Sequence, residues 1–504
     1  MDLWYAKIAR KVRRLGTGRK LDMQIYHLSA TELVNKIKSK EISSKELTQL
    51  YIDRIEKYDD DVNAVVIRMF DKALEDAEKA DEALSKGIDL GPLHGLPMTI
   101  KESYAIEGHK TTWGNEAFRN NMATADGLAV QRFKDAGAHF MGKTNVPLDL
   151  ADFQSYNTIY GTTNNPWDLK RIPGGSSGGS AAALAAGFTS LEAGSDIGGS
   201  IRNPAHYSGV YGHKPTYGII PMAGHELISN VPDADLAVCG PLARSAEDLK
   251  QALDIMAGPA QREAAGWKLD LPEAGFKELK DLKIAVWAND EMAPVSHEIE
   301  ERAMQVGEAL AKLGATVSYE ARPNFDPESA QINYQLLLQS VMSVSMPAGE
   351  KAKIQKIVDE LDPSDFSRDA VNARGVVLSH SDWISSNFQR EKLKIAWKEF
   401  FEEWDILICP QMATTAFEHD HRSYNERTIM VNNQEQSYFQ QIFWAGMIVN
   451  AYLPSTVFPT GPSSDGLPIG LQAVSGAYQD YKTIEFTRLL ANEIGGFIAP
   501  PNYI

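Results

Sequence analysis

The chain is poor in cysteine, since its 504 residues include two, Cys239 and Cys409, far apart in the sequence. Both lie in apolar surroundings, and Cys409 ends the run Ile-Leu-Ile-Cys at 406–409. Isolated cysteines of this kind are more typical of buried free thiols than of a disulfide framework. We therefore predict two free, buried thiols in a reducing compartment and expect a cytoplasmic protein.

A long apolar run and an excess of positive charge are also lacking. No stretch of about 18 uninterrupted apolar residues occurs, so we expect no transmembrane helix and no stable membrane insertion. Lys and Arg number 50 against 67 Asp and Glu, which gives a net charge of −17. Such a charge disfavours nucleic acid and anionic membrane surfaces as partners of the whole chain. Apolar residues at 43% and charged residues at 23% are ordinary for a soluble globular enzyme.

The first 24 residues depart from this acidic balance. Lys7 to Lys20 contain seven basic residues and no acidic one. The apolar run and the small-residue cleavage site of a secretory signal are missing. We expect residues 1–24 to be a basic extension, disordered or helical, ahead of a single domain over residues 25–504. A short membrane-surface or organelle-targeting helix is the alternative.

Helical patterns alternate with short apolar runs along the rest of the chain. Residues 29–32 and 43–46 have capping-box spacing, Ser-x-x-Glu, at predicted helix starts. The runs 282–287 and 405–409 fit buried strands. This alternation favours an α/β fold with a central, largely parallel sheet. The segment 324–398 is predicted to be rich in helix, as a lid or an interaction layer.

Two glycine- and serine-rich stretches, 174–180 and 194–200, carry the candidate chemistry. Together they contain seven glycines and five serines, with an alanine-rich helix predicted between them. Glycine lets backbone amides approach a ligand closely, so the stretches are predicted to form an anion-binding surface. No Gly-Lys-Ser/Thr follows either stretch, which argues against a phosphate loop. The apolar helix argues against a flexible linker.

The first stretch also fits the G-x-S-x-G pattern of a nucleophile elbow centred on Ser176. The pattern is weak because the frame shifted by one residue fits equally well around Ser177. An elbow requires a preceding strand, whereas residues 164–173 contain two prolines and several polar residues, as in a loop. Ser200 instead follows two glycines whose amides can face an oxyanion.

The two stretches resemble the amidase signature family. The resemblance runs from Leu28 to Ala499 and implies one α/β/α domain around a large mixed sheet. It implies an amidohydrolase without a metal or other cofactor. The matching blocks stand in family order at 95–102, 142–145, 160–167, 174–183, 194–205, 240–245 and 466–472.

The resemblance implies a catalytic role for each matched residue. Ser200 matches the nucleophile, Ser176 matches a proton-relaying serine held by a cis peptide bond, and Lys101 matches the base. A serine hydroxyl is a weak nucleophile until a base takes its proton, and lysine can do so only when neutral. We therefore expect Lys101 in a dry site. The backbone amides matched to the oxyanion hole are those of Ile197, Gly198, Gly199 and Ser200.

Other residues of the blocks are predicted to support the site. Asp196 and Arg202 are interpreted as a buried ion pair that shapes the nucleophile loop. Ser177 is expected to hold the Lys101 and Ser176 network by hydrogen bonds. The sequence Glu-His-Asp-His at 418–421 is interpreted as a solvated loop and not a metal site. The chain departs from the family in carrying Glu102 where Asp usually follows the base.

The substrate is not specified by these motifs. We expect a neutral, partly apolar or aromatic small-molecule amide, with carbamates or esters also possible, cleaved through an acyl-enzyme. The pocket is predicted to come from residues 108–118, 161–162 and 335–345. The alternatives are a non-catalytic ligand-binding member and an amidotransferase-type glutaminase subunit. A homodimer is left open.

Overall fold

The strands form one large sheet and three small ones in the computed structural model, which describes residues 25–228 and 231–504. The predicted basic extension, residues 1–24, lies outside the described residues. In chain order the strands are β1 (Val65–Arg68), β2 (Pro97–Lys101), β3 (His139–Thr144), β4 (Tyr156–Asn157), β5 (Gly161–Thr162), β6 (Glu192–Asp196), β7 (Tyr211–Lys214), β8 (Val238–Ala243), β9 (Lys283–Val286), β10 (Thr316–Ser318), β11 (Ile406–Pro410), β12 (Thr428–Val431), β13 (Gln434–Ser437), β14 (Ser455–Pro462) and β15 (Pro468–Val474).

Helices cover the strands and connect them. In chain order they are α1 (Ala30–Lys38), α2 (Ser44–Val62), α3 (Phe70–Ser85), α4 (Leu128–Asp135), α5 (Gly178–Ala186), α6 (Arg202–Ser208), α7 (Ala246–Met256), α8 (His297–Lys312), α9 (Pro327–Met342), α10 (Ala348–Glu360), α11 (Arg368–Val376), α12 (His380–Glu403), α13 (Phe443–Asn450) and α14 (Asp480–Ile494). Both predicted capping boxes are present, with Ser29 and Glu32 at the start of α1 and Ser43 and Glu46 at the start of α2. The predicted α/β class is confirmed.

The large sheet has eight strands in the order β10-β9-β11-β15-β14-β7-β8-β6. Only the two pairs that β9 makes, with β10 and β11, are parallel, and the other five are antiparallel. The expectation of a largely parallel sheet is therefore wrong, whereas the mixed sheet implied by the family resemblance is found. Neighbours such as β14 and β15 are joined by a short turn, which requires no crossover helix.

A three-stranded sheet, β1-β3-β2, lies beside β6 of the large sheet. Side chains join β2 to the residues just before β6, because the Ser190 hydroxyl donates to the Pro97 carbonyl at 2.6 Å and the Thr99 amide donates to the Thr189 hydroxyl at 2.9 Å. The last residue of β2 is Lys101. The junction therefore carries Lys101 to the end of β6.

Helix α5 begins directly after Ser177, and each of its residues is buried. The start of α5 and its entry loop lie so close to neighbouring backbone that a Cβ atom would not fit at two of their glycines. A Cβ at Gly175 would lie 2.4 Å from the Asp152 carbonyl oxygen, and one at Gly179 would lie 2.3 Å from the Asn145 nitrogen. The glycines of the first stretch therefore allow α5 and its entry loop to press against two neighbouring loops.

The helices α9 to α12 form a layer in which α9 also packs on α13. Arg390 of α12 donates to both carboxylate oxygens of Asp235 at 2.9 Å. Both cysteines are free and buried, as predicted. None of the helices in the described part of the chain is long and apolar enough to cross a bilayer.

Candidate active site

Lys101 lies fully buried at the junction of β2 and β6. Its Nζ is 2.7 Å from Ser176 Oγ and 2.9 Å from Ser195 Oγ. Burial lowers the lysine pKa to about 7, although nearby Cys239, Asp196 and Glu192 favour the charged form. A large fraction of Lys101 is therefore neutral near pH 7 and able to accept a proton.

The loop that carries Ser176 is held by Asn203 of α6. The peptide bond between Gly175 and Ser176 is cis. The Asn203 amide clamps this bond from one side, accepting from the Gly175 N–H at 3.0 Å and donating to the Gly175 carbonyl. Sequence reasoning did not identify Asn203, although it follows the second stretch by three positions.

Ser195 carries the second hydroxyl bonded to Lys101, and sequence reasoning missed it. A serine directly before Asp196 in the second glycine- and serine-rich stretch was the available signal. Ser177 acts on this residue and differs here from the expectation, because its Oγ lies 3.4 Å from both the backbone nitrogen and the carbonyl oxygen of Ser195. Ser177 therefore positions the Ser195 backbone instead of bonding Lys101 or Ser176 directly.

Ser200 is the most accessible of the three predicted catalytic side chains. It is 7% exposed, against 1% for Ser176 and 0% for Lys101. Its carbonyl accepts from the Ser177 N–H at 3.1 Å, which joins the two stretches. Gly199 before it has a φ of +107°, a conformation that favours glycine. Exposure therefore increases from Lys101, the predicted base, to Ser200, the predicted nucleophile.

The predicted pair of Asp196 and Arg202 is fully buried, with Nε 3.0 Å from Oδ2. Burial alone would raise the pKa of Asp196, but the Arg202 charge and several hydrogen bonds outweigh it and hold the pKa below its usual range. The same carboxylate accepts from the amides of Gly199 at 2.8 Å and Ile201 at 3.1 Å. Asp196 thus holds the nucleophile loop in its conformation, and Arg202 balances the charge of the Asp196 carboxylate.

This arrangement changes the predicted oxyanion hole. The Gly199 amide already donates to Asp196, so it is not free to bind an oxyanion. Among the described residues, no acceptor bonds the amides of Ile197, Gly198 or Ser200. The amides of Ile197, Gly198 and Ser200 are therefore the members of the predicted oxyanion hole without another partner among these residues, whereas the Gly199 amide bonds Asp196.

Glu102 holds part of the predicted pocket segment 108–118. Its carboxylate accepts from the amides of Thr112 at 2.7 Å and Trp113 at 3.0 Å, and from the Tyr160 hydroxyl at 3.1 Å. Both amides belong to the predicted pocket segment 108–118. The carboxylate next to the base therefore fixes this segment in place.

Three uncharged side chains, Tyr334, Ile442 and Ala445, pack against the nucleophile loop beside the buried pair of Asp196 and Arg202. The Tyr334 hydroxyl of α9 donates to the Ile197 carbonyl at 2.9 Å. A Cβ at Gly198 would lie 3.2 Å from the Ile442 side chain. The helical layer thus reaches the site through Tyr334, one residue before the predicted segment 335–345.

The Glu-His-Asp-His segment at 418–421 packs beside the site and is only partly solvated. The His421 ring stacks on Tyr156 at 3.8 Å, and the Asp420 backbone exchanges two hydrogen bonds with the Gln154 side chain. Within residues 25–228 and 231–504, no group of three His, Cys, Asp or Glu side chains is placed to hold a metal ion.

Comparison with known proteins agrees with this geometry. The family model described as Amidase matches residues 46–484. The chain belongs to the amidase family, whose members include the amidase signature enzymes. The family is one of amidohydrolases.

Three relatives illustrate the range of the amidase family. A glutamyl-tRNA(Gln) amidotransferase subunit of Alkaliphilus metalliredigens is 29% identical over 95% of this chain and 99% of its own length. Fatty-acid amide hydrolase 2-A of Danio rerio is 31% identical over 94% of this chain and 90% of that enzyme. An inhibitor-bound structure, described in terms of the origins of an s-triazine catabolic enzyme, is 28% identical with a TM-score of 0.77 and covers 93% of this chain and 99% of that one.

The rate of hydrolysis should rise with pH through about 7. The pKa of Lys101 is lowered to about 7 by burial, so the ammonium form predominates below that pH and cannot accept a proton. A pH profile of kcat/KM measures this rise. An optimum below about pH 6, in the range typical of carboxylate bases, would contradict the assignment of Lys101.

Proposed function

We propose that the protein hydrolyses the C–N bond of neutral, partly apolar or aromatic small-molecule amides through an acyl-enzyme on Ser200. The observation that carries this proposal is the 2.7 Å contact between Lys101 Nζ and Ser176 Oγ in a dry site. A base, a relaying hydroxyl and an accessible serine are the parts that a Ser-Lys variant of the catalytic triad requires. Carbamates and esters present the same carbonyl and are further candidate substrates.

The first half-reaction forms the acyl-enzyme. Ser200 Oγ attacks the amide carbonyl carbon while its proton passes to Ser176 Oγ and the Ser176 proton passes to Lys101 Nζ. When the tetrahedral intermediate collapses, the C–N bond breaks and the proton returns along the same path to the leaving nitrogen. Lys101 is then neutral again, and a water molecule repeats the sequence to release the acid.

The oxyanion would be held by the amides of Ile197, Gly198 and Ser200. One such donor typically lowers the barrier by about 3 kcal/mol, because it is already oriented before the charge develops. The Gly199 amide donates to Asp196, and this bond helps to hold the loop that carries the other three amides.

The preference for a neutral substrate follows from the lining of the nucleophile loop. Tyr334, Ile442 and Ala445 pack against it, and none of these side chains carries a charge near neutral pH. A charged substrate group in this dry environment would lack a partner for its charge. The fatty-acid amide hydrolase relative acts on an apolar amide by its name, which supports the same preference.

An amidotransferase-type glutaminase subunit is the second candidate, favoured by the similarity to the glutamyl-tRNA(Gln) amidotransferase relative. A purified chain that hydrolyses simple amides without a partner would exclude dependence on an assembly. A non-catalytic ligand-binding protein is disfavoured because Lys101, Ser176 and Ser200 are all in place. The two buried free cysteines support a cytoplasmic location, and we propose a single domain over residues 25–504.

A fluorophosphonate probe should label Ser200. Ser200→Ala should abolish labelling, whereas Ser176→Ala and Lys101→Ala should slow it by at least about a hundredfold, the usual contribution of proton transfer, without moving the adduct. Mass spectrometry of the labelled peptide locates the adduct. An adduct on Ser176 together with an active Ser200→Ala variant would mean that the nucleophile is wrong.

Aryl and aliphatic amides should be hydrolysed more efficiently than free glutamine or asparagine. The reason is the uncharged lining, which offers no partner to the ammonium and carboxylate of a free amino acid. Release of aniline or ammonia, compared as kcat/KM, gives the ratio. Efficient deamidation of free asparagine with aryl amides untouched would refute this preference.

A further inference from the structure

Two buried hydrogen-bonding atoms near the base have no partner among the described residues. They are Nδ1 of His225 and Nε1 of Trp113. The two rings are neighbours, with centroids 5.7 Å apart. Leaving a buried polar atom unpaired is unfavourable, so such atoms normally bond a water or a ligand.

His225 is fixed beside Lys101. Its Nε2 lies 2.8 Å from the Ser103 hydroxyl, and the Tyr104 ring meets it edge-on at 4.8 Å. Its side chain is 4% exposed. Burial and then the charge of Lys101 lower its pKa to about 3, so the ring is neutral at working pH. His225 is therefore a rigid, uncharged polar group close to the reacting centre.

Trp113 is held at both ends of its backbone. Its N–H donates to Glu102 at 3.0 Å, and its carbonyl accepts from the Asp149 amide at 2.8 Å. Its φ of +53° is uncommon for a bulky residue, and these two bonds maintain it. Since Glu102 follows Lys101 directly, this bond holds the Trp113 backbone close to Lys101.

The chemistry of the free atoms defines what they bind. An indole N–H is only a donor, and a neutral imidazole offers one donor and one acceptor nitrogen. When the Ser103 hydroxyl donates to His225 Nε2, Nδ1 carries the proton and both free atoms are donors. Two neighbouring neutral donors suit an uncharged acceptor oxygen, since they supply hydrogen bonds but no positive charge.

We propose that Trp113 and His225 form a polar subsite of the substrate pocket, which binds a hydrogen-bond-accepting oxygen of the substrate outside the scissile amide. This proposal rests on the proposed amidase function. It narrows the substrate class from neutral amides to neutral amides that carry an ether, carbonyl or hydroxyl oxygen.

Two matched pairs of anilides test the subsite. One pair compares methoxyacetyl with butanoyl on the acyl side, and the other compares para-methoxy with para-ethyl on the aniline. The quantity compared is the ratio of kcat/KM for the ether member to kcat/KM for the methylene member. For one of the pairs this ratio should be about fivefold or more higher in the wild type than in Trp113→Phe, because a net hydrogen bond is worth about 1 kcal/mol. His225→Phe should lose the same preference, and both variants should still hydrolyse the methylene member.

An exposed tryptophan supplies the matched control. Trp267 is 42% exposed, and Trp267→Phe should keep the wild-type ratio. An ether-to-methylene ratio unchanged in both Trp113→Phe and His225→Phe would overturn the subsite and mean that the two atoms bind water only. The same unchanged ratio leaves the amidase function standing without the subsite when the wild type hydrolyses both anilides and the fluorophosphonate probe labels its Ser200. Absence of both hydrolysis and labelling would overturn the proposed function as well.

Discussion

The site depends on one constraint, the burial of a lysine without a carboxylate bonded to it. Lys101 donates to two hydroxyls, of Ser176 and Ser195, and to no carboxylate among the described residues. In water, or paired with an acid, this amine would hold its proton at neutral pH. Burial lowers its pKa to about 7, and the rest of the site is arranged around an amine that can be neutral.

The fold supplies this constraint by combining two sheets and one buried ion pair. The three-stranded sheet carries Lys101 to the end of β6, where Asp196 would otherwise be an acid close to the base. Arg202 engages Asp196 through two of its nitrogens and thereby balances the charge. The Asp196 carboxylate also accepts hydrogen bonds from backbone amides of the nucleophile loop. The Asp196 carboxylate, although close to Lys101, therefore positions the nucleophile loop.

The sequence motifs named Lys101 and Ser176, which the structure places in hydrogen-bonding contact, and Ser200, whose carbonyl accepts from the Ser177 N–H. Lys101, Ser176 and Ser200 lie in blocks that resemble a known family, and capping boxes marked two helix starts correctly. Strand direction was predicted less well, because alternating helices and strands do not reveal short antiparallel connections such as the turn between β14 and β15.

The residues that were missed act through contacts between distant parts of the chain. Ser195 meets Lys101 only because β6 lies against β2, and Tyr334 meets Ile197 only because α9 packs on the nucleophile loop. The commitment of the Gly199 amide to Asp196 is likewise a property of the folded turn. Local patterns carry no information on which side chains meet across sheets and layers.

The protonation of Lys101 itself is the most direct test of the account. The Nζ resonance can be followed against pH by NMR in a Ser200→Ala protein and identified by its loss in Lys101→Met. Titration with a midpoint near 7 is expected, because burial lowers the pKa to about that value. Titration near 10.4, the ordinary value for lysine, would show a charged amine at neutral pH and would contradict the assignment of Lys101 as the base.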